Sequence, residues 1–542
     1  MNIQRKKKLE QLWEIRQYQN TENIPLAAKV NNNLYPLSYE VEEEAEITFL
    51  DITDNDGRRI YMTSLTFLFT RAAREILDGA IVIVKHSLQN GIYFDIKYKE
   101  TLKSTHVRLI EKRMRQLVEE NVLIERISYT REEAIKRLQE DKLSSNNSQL
   151  LRYKDSCMTH IYRCGWLQVY YYGYMVPSTG YLKVFSLHLY NHGIVLLGPS
   201  EKNPNKPTGF IPQPKLFQVY KNASEWGKIM GISNVHEWNC AIQSGEYREI
   251  VRVTEAAHEK KICEIADMIL NNREKGRIIL IAGPSSSGKT SFAHRLELQL
   301  KVNGLSPITI SMDNYFVDRE ETPLDEHGEP DFETVDAVDI TLFNRQMAEI
   351  IAGEEVVLPT FDFVTGKKYF DPTNKIQVEE KQPIILEGIH GLNPKLTNQI
   401  PDGNKFRIYV SPLTQMNLDS HNKISTSDLR LIRRMARDTQ TRGKTPQAVI
   451  EAFDKLKKAE QKYIFPYQEN ADVMFNSALI YELSVLKKFV YPMLQSIDCN
   501  SEVYSETRRL EKFLQFFDEM ELEIDIPPTS LVREFIGGST LV

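Results

Sequence analysis

The sequence predicts a multidomain protein of α/β and α+β class, and a few stretches carry that prediction. Residues 276–283, "GRIILIAG", form a short apolar run typical of a buried parallel strand, and 290–304 has helical spacing and ends on a glycine. From residue 276 onward, apolar strands alternate with helices, as in a parallel sheet flanked by helices. Residues 24–60 instead alternate short strands with Asn and Asp–Gly turns, which indicates a small β-rich domain.

The segment between these regions mixes helices and strands. Periodicity predicts helices over 63–77 and 106–140, and strands over 167–175 and 181–198. A long amphipathic helix is predicted over roughly 246–273 and leads into the strand at 276.

Composition sets the broad class. The chain has 542 residues, enough for three or four domains, with 41% hydrophobic and 26% charged residues, as in ordinary soluble proteins. The net charge of −6 gives no sign of a bulk nucleic-acid binder. No apolar run approaches the roughly 18 residues of a membrane span, and the basic start lacks the apolar core of a secretory signal. Five scattered cysteines fit a reducing cytoplasm, and Cys157, His160 and Cys164 lack a clear fourth zinc ligand.

The stretch "IAGPSSSGKTSF" (281–292) contains the pattern G-x-x-x-x-G-K-[ST], the P-loop. Its glycines let backbone N–H groups converge on phosphate oxygens, and the following helix turns its positive end toward the anion. Lys289 is predicted to reach the β- and γ-phosphates, and the Thr290 hydroxyl to bind Mg²⁺. The predicted phosphate-binding residues are Gly283, Ser285, Ser286, Ser287, Gly288, Lys289, Thr290 and Ser291.

Carboxylates follow the next strands. Asp313 ends the apolar run that begins at 307, where it either accepts a proton from a substrate hydroxyl and holds Mg²⁺, or simply caps a turn. The stretch 330–343 carries Asp331, Glu333, Asp336 and Asp339, which suit sugar hydroxyls or a solvated helix start. Glu387 ends a second buried strand and suits a contact to Mg²⁺ or its water.

Basic residues cluster further along the chain. Arg430, Arg433, Arg434 and Arg437 lie on one helical face, and Arg442 and Lys444 follow. Such a face either makes bidentate contacts with phosphates or is a basic face paired to acids.

These blocks, in the order "GPSSSGKT", "SMDNYF", "DFETVDAVD", "LPTFDFVTG", "IILEGIHGL" and "LRLIRRMARDTQTRG", resemble the uridine kinase and phosphoribulokinase family over about 276–480. The resemblance implies ATP- and Mg²⁺-dependent phosphorylation of a hydroxyl, typically the 5′-hydroxyl of a nucleoside. It implies Asp313 as the base, with Lys289 and Arg437 as further catalytic residues. Tyr315, Glu333, Phe361 and Arg430 then belong to the substrate site, Thr290, Asp313 and Glu387 to the metal site, and Arg433, Arg434 and Arg442 to the lid region over the phosphates.

One departure concerns the substrate. Uridine kinases usually show Tyr-Asp-Phe followed by a His that reads the pyrimidine, whereas this chain has Phe361 and, in place of the His, Gly366. Phe361 can still stack, but stacking tolerates many rings. The sequence therefore leaves the acceptor open.

The front half resembles the amino-terminal region of threonyl-tRNA synthetases, with a TGS-like domain (1–60) and a second, editing-like α+β module (61–240). A connecting helix (241–275) leads to the kinase domain (276–542). Where editing enzymes use His and Cys, this chain has Thr63, Phe67, Tyr171 and Met175, so a binding or scaffold role is predicted rather than deacylation. Basic residues such as Arg108 are interpreted as the polar face of a helix, and RNA contact is not expected.

We therefore expect a cytoplasmic bacterial kinase of a small-molecule nucleoside, without membrane association, that forms a homo-oligomer as uridine kinases often do. Two alternatives stay open at this point. One is a kinase of another small hydroxyl compound, such as a sugar phosphate. The other is an RNA-binding protein that uses its P-loop as a nucleotide sensor. The tail after Pro527 and Pro528 is predicted to form a short helix that packs on the kinase core.

Overall fold

The computed structural model describes residues 7–16, 23–41, 45–88, 91–143, 145–154, 156–272, 277–325, 328–362, 364–414, 416–520 and 525–541. Residues 1–6, 17–22 and 42–44 of the predicted β-rich domain lie outside the described residues. So do 273–276, which hold the end of the predicted connecting helix and the first residue of the predicted P-loop strand.

The chain begins with two small antiparallel sheets. Strand β1 (Lys7–Lys8) pairs with β4 (Glu40–Val41), and helix α1 (Leu9–Arg16) follows β1 directly. Strand β2 (Ala27–Val30) lies between β3 (Asn33–Pro36) and β5 (Ile47–Leu50). The short strands predicted over 24–60 are thus present.

The predicted Asp–Gly turn at 56–57 lies instead in the first turn of helix α2 (Asn55–Ile76). A β-carbon on Gly57 would come within 1.7 Å of the Asp51 carbonyl oxygen, so the glycine serves close backbone approach rather than a turn. The predicted boundary at residue 60 therefore falls inside this helix.

The second region builds a four-stranded and a three-stranded antiparallel sheet, in the orders β11-β12-β7-β6 and β10-β9-β8. Its elements are β6 (Ile81–Leu88), β7 (Gly91–Lys97), α3 (Ser104–Glu119), β8 (Glu125–Thr130), α4 (Arg131–Glu140), β9 (Met158–Cys164), β10 (Leu167–Val169), β11 (Ser186–Tyr190), β12 (Gly193–Leu197), α5 (Pro214–Ile229) and α6 (Val235–Ser244). The long connecting helix is α7 (Tyr247–Asn271).

Two predictions in this region are wrong in detail. The helix predicted over 106–140 is interrupted by β8, because Asn121 adopts a left-handed φ of 50° after α3 and the next residues pair with β9. The strand predicted over 167–175 ends at Val169, because side-chain amides satisfy the following backbone. Asn147 accepts from the Tyr170 N–H, and Asn147 and Asn422 both donate to the Tyr170 carbonyl.

The carboxy-terminal half holds a five-stranded sheet in the order β14-β17-β13-β18-β19, which is parallel as predicted. Its elements are β13 (Ile278–Ala282), α8 (Lys289–Val302), β14 (Ile308–Ser311), α9 (Ile340–Ile351), β15 (Val356–Asp362), β16 (Lys367–Ile376), β17 (Ile384–Glu387), α10 (Pro394–Thr397), β18 (Lys405–Ser411), α11 (Thr426–Thr441), α12 (Pro446–Tyr463), β19 (Val473–Asn476), α13 (Glu482–Gln495), α14 (Tyr504–Leu514) and α15 (Arg533–Ile536).

Strand β13 is fully buried and central, so its carboxyl end lies in the middle of the sheet edge. Residues Ile279 and Ile281 pack with Phe292 of α8 on one face, while Ile278 and Leu280 join a second core on the other. The tail helix α15 packs against α11, which confirms the predicted docking of the tail. Within the described ranges, no helix is long and apolar enough to cross a membrane.

Candidate active site

The phosphate loop, residues 283–290, leaves the carboxyl end of β13 and enters α8. A β-carbon on Gly283 would lie 2.0 Å from the Val410 carbonyl oxygen, so the loop and β18 approach more closely than another residue allows. Ser286 and Gly288 have φ of 58° and 83°. These left-handed residues curl the loop around the amino-terminal end of α8, where the helix dipole favours an anion.

The loop carries polar groups without partners. The Ser286 and Ser287 hydroxyls are buried and find no hydrogen-bond partner among the described residues. Lys289 Nζ lies 3.3 Å from the Pro284 carbonyl oxygen, so its ammonium folds over the loop. Buried hydroxyls and a lysine around a helix amino terminus fit the phosphates of ATP, and the half-buried Thr290 fits the bound Mg²⁺.

Two arginines of α11 hold the loop from behind. Arg430 Nε donates to the Ser285 carbonyl over 2.8 Å, and Arg433 donates to the Ser286 carbonyl over 3.4 Å. Both guanidiniums are buried in ion pairs, Arg430 with Glu460 and Arg433 with Glu482.

This placement differs from the predicted direct contacts, in which Arg433 binds ATP phosphates and Arg430 binds the substrate. The two buried carboxylates draw these side chains into the core, because an uncompensated charge there is unfavourable. Arg430 and Arg433 therefore position the loop.

The next three basic residues surround one acid. Asp438 is fully buried and lies 3.3 Å from Arg434 Nε, 2.9 Å from Arg437 and 3.6 Å from Arg442 Nε. Arg434 also donates to the Ser285 hydroxyl over 2.8 Å, and Arg442 is about half-exposed. One carboxylate shared by three guanidiniums leaves net positive charge beside the loop.

Two carboxylates lie at the ends of neighbouring strands. Ser311 ends β14 opposite Glu387 of β17, and its hydroxyl donates to Glu387 over 3.1 Å. Asp313 follows two residues later in a 3₁₀ turn, and its backbone N–H donates to the same Ser311 hydroxyl. Parallel strand order therefore brings Asp313 and Glu387 to one edge beside the loop.

Their electrostatics are linked. Burial raises the pKa of Asp313, while the charges of Lys289, Arg442 and Arg437 act in the opposite direction. Burial and the charge of Asp313 raise the pKa of Glu387 to about 7. Two neighbouring carboxyls beside one group of cations are suited to hold a divalent cation.

Glu333 lies close to this group. Burial, followed by the charge of Glu460, raises the pKa of Glu333 to about 7, with smaller effects from Arg434, Asp313 and Lys289. The structure thus brings Glu333 into the same electrostatic environment as the predicted base.

The other two predicted substrate residues, Tyr315 and Phe361, lie in different surroundings. Tyr315 is fully buried, donates to Gln346 over 2.9 Å and packs edge-on against Phe343, so it belongs to the core rather than to an open site. Phe361 is the last residue but one of β15, contacts Phe316 edge-on at 5.7 Å, and its backbone N–H lies 3.4 Å from the Asn314 side chain. This links the β15–β16 hairpin to the turn that carries Asp313.

Gly366 adopts φ of 72° in the turn after β15, and a β-carbon there would lie 2.7 Å from Arg319 Nε. The Arg319 N–H also donates to the Gly366 carbonyl over 2.8 Å. A histidine side chain at this position would meet both backbone strain and the arginine. Arg319 thus occupies the space next to the position where the resemblance expects a histidine.

Sequence reasoning missed several acids that organise the site. Glu460, Glu482 and Asp438 hold the arginines, and Glu534 of the tail accepts from the Ser291 hydroxyl over 2.7 Å and lies 3.6 Å from Arg437. Glu460, Glu482 and Glu534 leave no local pattern, since each comes from another helix, whereas Asp438 lies on α11 itself, four residues after Arg434. The four-arginine face was the available signal, because such a face requires partners.

Known proteins are similar in sequence to the region of the chain that carries the phosphate loop. The sequence profile of the Phosphoribulokinase / Uridine kinase family matches residues 278–483. A uridine kinase from Lactobacillus helveticus is 30% identical over 208 residues, 38% of this chain and 89% of the relative. A uridine kinase from Staphylococcus haemolyticus is 29% identical over 198 residues, 36% of this chain and 86% of the relative. A solved structure described as a possible uridine kinase from Bacillus stearothermophilus is 20% identical, with a TM-score of 0.28, and the match covers 40% of this chain and 98% of that chain. Through residues 278–483, the chain belongs to the phosphoribulokinase/uridine kinase family of P-loop kinases.

Proposed function

We propose that the protein transfers the γ-phosphoryl group of ATP to the 5′-hydroxyl of a nucleoside, giving a nucleoside monophosphate and ADP. The observation that carries this proposal is the position of Asp313. It lies at the strand edge beside the phosphate loop, within the field of Lys289, Arg437 and Arg442. A nucleotide sensor without an acceptor does not need a carboxylate at this place.

In this proposal ATP supplies the phosphoryl group and Mg²⁺ offsets its charge. Asp313 accepts the proton of the acceptor hydroxyl as the oxygen bonds to phosphorus and the bond to the ADP oxygen breaks. Lys289, Arg434, Arg437 and Arg442 stabilise the charge on the transferring group. Glu387 and Thr290 hold the metal.

Glu333 and Phe361 are proposed to contact the acceptor. A carboxylate pairs well with vicinal ribose hydroxyls, and a phenyl ring stacks on a base. We propose that Arg319, packed over Gly366, replaces the missing histidine and contacts the acceptor on that side. An arginine donates to carbonyl oxygens of a base, which keeps a pyrimidine nucleoside compatible with this site.

The same arginine favours a second candidate. A guanidinium beside the acceptor also suits a phosphate group, so a sugar phosphate is the alternative acceptor.

For the front half, we propose a binding or scaffold module related to the TGS and editing regions of threonyl-tRNA synthetases. Phe67 and Tyr171, which stand where editing enzymes use metal-binding or nucleophilic side chains, are buried and pack edge-on at 5.9 Å. Such packing supports a role without deacylation. A homo-oligomer in the bacterial cytoplasm remains part of the proposal, and light scattering of the purified protein tests the oligomer.

The test is product identification. The protein is incubated with Mg–ATP and one acceptor at a time, from a panel of nucleosides, sugar phosphates and RNA, and products are identified by mass spectrometry. A nucleoside monophosphate as the main product supports the proposal, and a phosphorylated sugar phosphate selects the alternative. ADP release that depends only on RNA contradicts both.

A further inference from the structure

A cavity of about 490 Å³ lies between the front half and the kinase region, away from the phosphate loop. Front-half residues on one wall include Arg59 and Thr63 of α2 and Tyr172 and Tyr174 of the turn after β10. The opposite wall comes from the kinase side. It includes residues 421–423, Ser425, Asp428 of α11, and Arg508, Arg509 and Lys512 of α14.

The kinase loop before α11 is anchored in the front half. The Ser420 carbonyl accepts from the Val84 N–H of β6 over 2.9 Å, and Asp419 accepts from Asn147 over 2.8 Å. Asn422 donates to the Tyr170 carbonyl over 3.0 Å. The cavity is therefore built from both halves, and its kinase wall leads directly into the arginine helix.

The cavity has an excess of positive charge. Arg59, Lys423, Arg508, Arg509 and Lys512 line it, against Asp56 and Asp428. The arginines are already held by acids: Arg59 by Asp56 and Glu506, Arg509 by Asp428 and Glu506, and Arg508 by Glu511.

The two lysines differ from the arginines. Within the described ranges, neither Lys423 nor Lys512 makes an ion pair with a carboxylate. Lys423 donates to the Ser87 hydroxyl, and burial lowers the pKa of Lys423 to about 8. The charges of Asp428 and Glu511 act on Lys423 and Lys512 without a direct ion pair, so these partly desolvated ammonium groups favour a bound anion.

Another part of the lining is aromatic and apolar. Tyr35, Tyr172, Tyr174, Leu34 and Met62 lie on the same cavity. Its volume is within the range of about 300–1,000 Å³ for small-molecule sites and exceeds what a lone inorganic anion fills. A ligand that uses both parts carries an anionic group and a planar ring.

We propose that this cavity is a second ligand site, which binds an organic phosphate with a planar ring, a mononucleotide being the simplest example. The choice of a nucleotide rests on the proposed function, since nucleotides are the products of that reaction. The cationic and aromatic lining does not depend on it.

The site is connected to the active site by one helix. Lys423 precedes Ser425, which caps α11, and Asp428 in the first turn of α11 accepts two hydrogen bonds of 2.7 Å from Arg509. Arg437 lies nine residues further on the same helix, about 14 Å along its axis at 1.5 Å per residue. A ligand phosphate near Lys423 and Arg509 competes with Asp428 for these cations, and so acts on the helix that positions Arg434 and Arg437.

Calorimetric titration of the full-length protein with UMP, CMP, AMP and GMP tests the proposal. Inorganic phosphate tests binding of the anionic group alone, and uridine tests binding of the planar ring without a phosphate. Five proteins are compared: the unmodified chain, Lys289→Ala, Lys423→Met/Lys512→Met, Lys423→Arg/Lys512→Arg, and Lys202→Met/Lys206→Met as a control with two exposed lysines. Lys423→Arg/Lys512→Arg keeps the charge and checks that the double methionine variant loses binding through charge rather than through misfolding.

At least one monophosphate is expected to bind Lys289→Ala, at least tenfold more tightly than phosphate or uridine. The equivalent of monophosphate bound in the cavity should disappear in Lys423→Met/Lys512→Met. It should persist in the control pair and in the arginine pair. The same monophosphate should also change the KM for ATP of the unmodified protein. Equal binding to the methionine pair overturns the proposal, as does binding of a short single-stranded RNA with no mononucleotide bound. The titration needs no turnover. A protein that binds the monophosphate in this cavity but phosphorylates no acceptor would therefore contradict the proposed function and leave the second-site proposal intact.

Discussion

The Arg433 guanidinium lies 2.6 Å from the Glu482 carboxylate, and both side chains are completely buried behind the phosphate loop. Arg433 donates further to the carbonyls of Ser286 and Ser477, and its guanidinium stacks 4.9 Å from the Phe535 ring of the tail. One ion pair therefore joins the loop, α11, α13 and the carboxy-terminal tail. We conclude that this arginine fixes the shape of the loop.

Removing one partner of this ion pair should lower the stability of the protein much more than removing both. Arg433→Met leaves Glu482 buried and uncompensated, and should lower the stability of the kinase region by about 3–5 kcal/mol. Arg433→Met/Glu482→Met should recover a large part of that loss, because no charge stays buried. Urea unfolding followed by tryptophan fluorescence measures both. Additive losses in the double variant would show that the pair is not coupled.

Glu534 should oppose nucleotide binding. Its carboxylate accepts from the Ser291 hydroxyl at the start of α8 and lies 3.6 Å from Arg437, where it adds negative charge near the predicted phosphate site. Glu534→Gln should tighten Mg–ATP binding about threefold to fivefold, the effect of a charge worth about 1 kcal/mol at a helix amino terminus. Calorimetric titration measures the Kd, with exposed Glu519→Gln as the charge-matched control. Weaker binding in Glu534→Gln would mean that the tail carboxylate supports the nucleotide site.

Activity should rise with pH through about 7. Glu387 and Glu333 have pKa values raised to about 7, and only the ionised forms hold metal or hydroxyl groups as proposed. A bound cation favours the charged form, so more Mg²⁺ should move the inflection of kcat/KM to lower pH. Without ligands, the raised pKa values stabilise the fold below about pH 4.5, and this contribution is lost as pH rises through about 7. An inflection that does not move with Mg²⁺ would contradict the assignment of these carboxyls.

Arg319 should affect the acceptor more than ATP. Arg319→Ala should raise the acceptor KM about tenfold and leave the KM for ATP within about twofold, because a lost charge-assisted hydrogen bond is worth roughly 1.5–3 kcal/mol. Arg345→Ala on the exposed face of α9 is the matched control. Initial rates at varied acceptor and fixed saturating ATP separate the two constants. A rise in the KM for ATP of equal size would place Arg319 outside the acceptor site.

The part of the site that is local in sequence was predictable. The strand, loop and helix around Lys289 follow one another without interruption, and parallel strand order alone brings Asp313 and Glu387 to one edge. The parallel direction of the sheet was predicted from the alternation of strands and helices, whereas the number and order of its strands were not.

Features of the site that depend on partners distant in the sequence could not be predicted. Arg430 and Arg433 share a helical face with Arg434 and Arg437, yet only the first two are held in the core, by Glu460 and Glu482. Tyr315 is next to Asn314 and near Asp313, but its hydroxyl turns into the core toward Gln346. Likewise, β8 lies in a stretch with helical periodicity, so the sequence predicted a helix there. Pairing with β9 overrides this local propensity.

The most direct test of the account is single-turnover ADP formation by the unmodified protein and by Asp313→Asn, with the best acceptor of the panel. The account predicts that Asp313→Asn binds Mg–ATP with nearly unchanged affinity but forms ADP about 10²–10⁴-fold more slowly, because the base is lost. Lys289→Ala should abolish turnover in the same assay. Near-normal turnover by Asp313→Asn with every acceptor would contradict the central claim that this carboxylate activates the hydroxyl.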